Sequence, residues 1–93
     1  MREGRLQDFE GAVGESFELV FVDGTLPLRL EGLHRLPRSV RDDGSFVLDW
    51  SGPRDPALPQ GIYRFRRGSD EFEIFIVPVD RTPDSMRYEA VFN

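Results

Sequence analysis

The sequence predicts an all-β fold, a small six-stranded antiparallel barrel with a compact sandwich as the alternative, preceded by a short N-terminal helical turn. Three observations predict it. Apolar residues alternate with period two along most of the chain, the pattern of half-buried strands. Two pairs of such runs are joined by dipeptides suited to tight hairpins, Asp23-Gly24 and Gly68-Ser69. Six short strands cannot bury their apolar faces as one flat sheet, and closing them into a barrel hides both faces and edges.

Size and composition bound the rest. At 93 residues and 10.7 kDa the chain has room for one domain, residues 1–93. Folding a chain of this mass reduces its surface from about 15,500 to about 5,500 Å², enough for one modest core. With 39% hydrophobic residues and eight Phe, the composition is not that of a disordered segment. All 12 basic residues are arginine, and the net charge of −5 argues against non-specific nucleic-acid binding. The absence of cysteine excludes disulfides, thiolate zinc sites and cysteine nucleophiles. No apolar run approaches the roughly 20 residues that span a bilayer, so no membrane partner is expected. The opening residues lead into no signal-peptide core, which points to the cytoplasm or to a particle released by lysis.

The elements follow in chain order. Arg5–Val13 spaces Leu6, Phe9 and Val13 three and four apart, as an amphipathic turn would, and Gly11 and Gly14 stop it. Ser16–Val22 and Thr25–Glu31 flank Asp23-Gly24. A type I′ turn there pairs Phe21 with Leu26, Leu19 with Leu28 and Phe17 with Leu30. Behind them, Glu18 meets Arg29 and Val20 meets Pro27. Pro27 cannot donate to a ladder and belongs at an edge or facing outward. Ser45–Trp50 points Phe46, Leu48 and Trp50 to one face. Gly61–Arg67 and Asp70–Pro78 flank Gly68-Ser69, where a type II′ turn pairs Phe65 with Phe72, Tyr63 with Ile74, Arg66 with Glu71 and Arg64 with Glu73. A slip of one residue would break every one of those matches. Met86–Phe92 aligns Met86, Tyr88, Ala90 and Phe92.

Chemistry-bearing residues are sparse. His34 is the lone histidine, and neither HExxH nor a comparable ligand spacing surrounds it, so a structural role is preferred over a metal or a general base. Glu71 and Glu73 lie about 6–7 Å apart on one strand face, a separation that invites comparison with glycosidase carboxylates. The hairpin already sets an arginine opposite each, and a catalytic pair also needs a cleft. Asp42-Asp43-Gly44 and the pair Asp80 and Asp84 lack calcium-loop spacing and read as turns. Gly11-Ala12-Val13-Gly14 is no phosphate loop, and Ser16, Ser39 and Ser85 sit in no nucleophile-elbow pattern. No catalytic residue, cofactor or metal is expected.

Two surfaces remain. Pro53, Pro56 and Pro59 recur every third residue, the period of a polyproline II turn, and would form either a docking edge beside Arg54 or a stiff connection. Ile62, Phe75, Val77 and Val91 fall on the face opposite the core positions. Either Leu6, Phe9 and Val13 cover them as a lid, or they form an open apolar contact surface. Trp50, Tyr63 and Tyr88 could line a small-ligand pocket at one end, though in so small a barrel such rings more readily fill the interior.

The ending Met86-Arg87-Tyr88-Glu89-Ala90-Val91-Phe92-Asn93 resembles the closing signature of an uncharacterised family of small bacterial all-β proteins. Gly52-Pro53, the stretch Leu58–Arg64 and the opening Phe9, Val13-Gly14 and Phe17 share the resemblance, which covers nearly the whole chain. It implies a stand-alone β domain of unknown function, with relatives associated with phage-tail-like fibre or collar proteins, and it supplies no catalytic residues. The expectation is therefore a non-enzymatic protein-interaction or structural module that contacts another protein or itself. Its expected contacts are Ile62, Phe75 and Val77 with Pro53, Arg54 and Pro56. A small-ligand-binding barrel is the alternative.

Overall fold

Each alternating run becomes a strand, and two of them run further than their alternation requires. The computed structural model describes residues 3–37 and 44–93. Asp42, Asp43 and Ser39 lie outside them. Within them the chain forms α1 (Leu6–Phe9), β1 (Ser16–Phe21), β2 (Gly24–Arg35), β3 (Phe46–Pro53), β4 (Gly61–Arg67), β5 (Asp70–Arg81) and β6 (Ser85–Phe92). All neighbours pair antiparallel in a closed ring, β1-β2-β3-β6-β5-β4. The fold is the barrel, not the sandwich.

The two 12-residue strands make closure possible. The first half of β2 pairs with β1 and its second half with β3, with a bulge between Leu30 and Gly32. The first half of β5 pairs with β4 and its end with β6, with a bulge between Pro78 and Asp80. A bulge bends its strand and raises its twist, as passage from one neighbour to the next around a tight barrel demands.

The β4–β5 hairpin has the expected register. Phe65 faces Phe72, Tyr63 faces Ile74, Arg66 faces Glu71 and Arg64 faces Glu73. Gly68 has φ of 62° and Ser69 does not enter positive φ, as a type II′ turn requires. The β1–β2 hairpin departs from expectation by two residues. Phe17 faces Leu28, Leu19 faces Leu26, Phe21 faces Gly24 and Glu18 faces Pro27. The loop is Val22-Asp23, not Asp23-Gly24. A type I′ turn needs positive φ at both central residues, and no described non-glycine residue has it. A shift of two preserves every face, so Phe17, Leu19, Leu28 and Leu30 are buried as expected, while Phe21 at the end of β1 is exposed and Leu26 half-buried. On its other side β1 pairs with β4, Glu18 opposite Arg66 and Leu19 opposite Phe65, which closes the ring. Glu18 accordingly bonds across the closure to Arg66 at 3.2 Å and not to Arg29, whose Nε donates to the Gly14 carbonyl.

The interior is filled from every strand: Phe17, Leu19, Leu28, Leu30, Phe46, Leu48, Trp50, Phe65, Phe72, Ile74, Ile76, Tyr88 and Phe92 are buried. The N-terminal turn completes it. Asp8 reaches back to accept from the Arg5 N–H at 2.8 Å, and the turn carries Leu6 and Phe9 into one end of the barrel. The Phe9 ring stands 5.4–6.5 Å from those of Phe72, Phe92, Phe17, Phe46 and Trp50. Burying one such ring is worth about 1.5–3 kcal/mol. Leu6 and Phe9 are therefore a plug for the interior, not a lid over the outer face, and Val13 is left exposed.

Candidate functional site

With its helical turn spent on the interior, the chain leaves the outer side of β4 and β5 uncovered. Ile62 and Phe75 oppose each other across that hairpin, 67% and 50% exposed. Each points outward because its neighbours in the alternation, Phe65, Ile74 and Ile76, must point in. Val77, the third residue expected here, is only half-buried and lies opposite Glu89 of β6. Val79, in the β5 bulge, and Val91 add further exposed apolar surface.

The geometry beside Ile62 could not be read from alternation. The ladder between β1 and β4 consists of Glu18↔Arg66 and Leu19↔Phe65, then stops. Its register would next oppose Val20 to Arg64 and Val22 to Ile62, but there the strands part. A cleft of about 470 Å³ opens between them, walled by Val20–Val22 and Ile62–Arg64 with Glu73 behind. Val22 is fully exposed at the tip of the β1–β2 turn. The sequence reading missed Val22 because it assigned that residue to the strand. A β-branched residue beside Asp-Gly was the available signal. Phe21 and Tyr63 meet edge to face across the opening at 6.0 Å.

The proline segment lies at the same end of the barrel. Pro53 is the last residue of β3, paired with Ser85, and the chain bends over residues 54–56. The Asp55–Pro56 peptide is cis. The bend over residues 54–56 interrupts the regular turn that would set the three prolines along one edge, and the segment serves as the connection from β3 to β4. Leu58 packs against the core and its N–H donates to the Tyr88 hydroxyl at 2.9 Å, so the segment closes the end opposite α1. Arg54 and Pro56 are exposed. Pro56 shares a second, shallower hollow with Leu58, Phe21 and the β2 start. Ile62 thus shares the larger cleft with Phe21 and Tyr63, Pro56 shares the smaller with Phe21, and Phe75 lies one strand further, opposite Ile62, while Val77 and Pro53 lie apart on other pairings.

Trp50 and Tyr88 are buried in the core and Tyr63 stands at its rim, so the three do not line one open pocket. The Tyr63 hydroxyl donates to the Pro59 carbonyl at 2.7 Å. Burial, and then the nearby Tyr88, raise its pKa above the usual phenol value. Among the described residues Trp50 Nε1 is buried without a hydrogen-bond partner, its ring edge-on to Phe17 at 5.0 Å. His34 is exposed, with Nε2 2.6 Å from Asp49 Oδ2, a surface pair across β2 and β3. Among the described residues no three His, Asp or Glu side chains gather to hold a metal ion. No helix among them is long and apolar enough to cross a membrane.

Residues 5–92 match the family model of DUF6916, a domain of unknown function, and the chain belongs to that family. Comparison with curated proteins and with solved structures gives no match.

Proposed function

We propose that this domain is a non-enzymatic interaction module that binds another protein through the outer face of β4 and β5, serving as an accessory piece of a fibre or tail-like assembly. The observation that carries the reading is the exposed cross-strand pair of Ile62 and Phe75, left open because Leu6 and Phe9 plug the barrel instead of covering it. Desolvating two large apolar side chains favours association, and contiguous exposed apolar surface marks contact sites. The fibre or tail-like setting comes from the family resemblance of the chain's ending. Exposed Pro56 shares the hollow at the barrel mouth with Phe21, and exposed Arg54 lies two residues before it in the chain.

The test is a paired capture from the native cell. Wild-type domain and the Phe75→Glu variant are used as bait and their bound proteins compared by mass spectrometry. The reading expects one protein retained by the wild type and lost by a variant that melts at the same temperature. Equal retention by both removes the face from the reading, and an unfolded variant would make Phe75 part of the core.

A further inference from the structure

The seam between β1 and β4 differs from the other interfaces of the barrel in the length of its ladder, and its backbone says what would fit there. In a two-residue hairpin the residues flanking the loop exchange both hydrogen bonds, and direction then alternates along the strand. Arg67↔Asp70 and Phe21↔Gly24 flank their loops. It follows that Ile62, Arg64 and Arg66 turn their N–H and C=O groups toward β1, and Glu18 and Val20 turn theirs toward β4. Arg66 is paired with Glu18. The pair Val20↔Arg64 is not completed, and Ile62 has no ladder partner on that side among the described residues.

A row of unmatched strand groups is a template for another extended segment. Here it opens into a cleft, and the side chains around it are Val20, Val22, Ile62 and, one strand further, Phe75. Arg64 and Glu73 face each other across β4 and β5 and leave the cleft without a net sign of charge. We infer that the cleft takes an extended peptide segment of a partner protein, laid along β4 beside Ile62 and carrying apolar side chains at alternate positions. Backbone hydrogen bonding supplies the docking and the apolar rim reads every second side chain, the mode of β-strand addition. This deepens the interaction reading above and rests on it. A second copy of the chain fits less well, since each copy brings a net charge of −5 to the contact.

The test uses random peptides of about six residues displayed on phage and selected on the wild-type domain. The strongest binder is synthesised with single backbone N-methylations along its length. The inference expects loss of affinity of about tenfold or more from methylation at alternate residues and little change between them, since each methyl removes one ladder donor. It also expects amide exchange at Ile62 and Arg64 to slow by about tenfold or more when the peptide is bound. Failure to select any peptide, uniform sensitivity to methylation, or no protection at Ile62 overturns it. So does a wild-type dimer that the Phe75→Glu change dissolves. Binding that Phe75→Glu abolishes and methylation does not affect leaves the apolar face standing and removes the strand. Alternating sensitivity that survives Phe75→Glu leaves the strand standing and removes the apolar face.

Discussion

The barrel carries two groups of large apolar side chains, and their situations are opposite. Inside, Phe9 is ringed by Phe17, Phe46, Trp50, Phe72 and Phe92 and is fully buried. Outside, Val22, Ile62 and Phe75 stand around the parted ends of β1 and β4. The inner group is supplied partly by a segment that is not a strand. The outer group is exposed for the same reason, because one short helical turn cannot plug the end of a barrel and also cover its wall. Apolar character alone does not say which group holds the protein together. Position relative to the plug does.

The comparison breaks most sharply at Phe9. Phe9→Ala leaves a cavity at the centre of the ring cluster and is expected to cost about 3–5 kcal/mol, measured by denaturant unfolding. A loss below about 1 kcal/mol would mean that the plug is not part of the folded core. Gly4→Ala tests the same contact from the other side. A methyl at Gly4 would lie 2.3 Å from the Phe9 ring, so about 1–3 kcal/mol of overpacking is expected. Gly68→Ala acts on backbone alone, since nothing lies near its added methyl, and φ of 62° should cost about 1–2 kcal/mol.

Two smaller effects sharpen the contrast. A double-mutant cycle on Glu18 and Arg66 should give a coupling of about 0.2–1 kcal/mol that falls with salt, as exposed pairs do. The same cycle on Glu18 and Arg29 should give none. A coupling found only in the second cycle would restore the turn at Asp23-Gly24. Phe75→Glu should change stability by no more than about 0.5 kcal/mol while removing the binding described above. A larger loss would move Phe75 from the outer group to the inner one.

The hairpins show how far local chemistry reaches. Gly68-Ser69 needs positive φ only at its glycine, so turn, strand faces and Arg–Glu pairing agree and the β4–β5 register is legible from residues 61–78. Asp23-Gly24 looked equally decisive, yet the non-glycine half of that turn stays out of positive φ and the loop moves to Val22-Asp23. Alternation is blind to this shift, because two residues return every side chain to the same face. The cleft was illegible for a related reason. Ile62 and Phe75 were recognisable as outward-facing, but the end of the β1–β4 ladder depends on strands separated by some 45 residues and on the stagger of the closed barrel.

By itself the sequence determined the strands, their inward and outward faces, and one hairpin, since these depend on residues close along the chain. Tertiary structure decided the β1–β2 register, the destination of Leu6 and Phe9, and the parting of β1 from β4. Ring closure imposes one stagger on all strands together, and an amphipathic turn specifies that an apolar side must be covered without specifying by what.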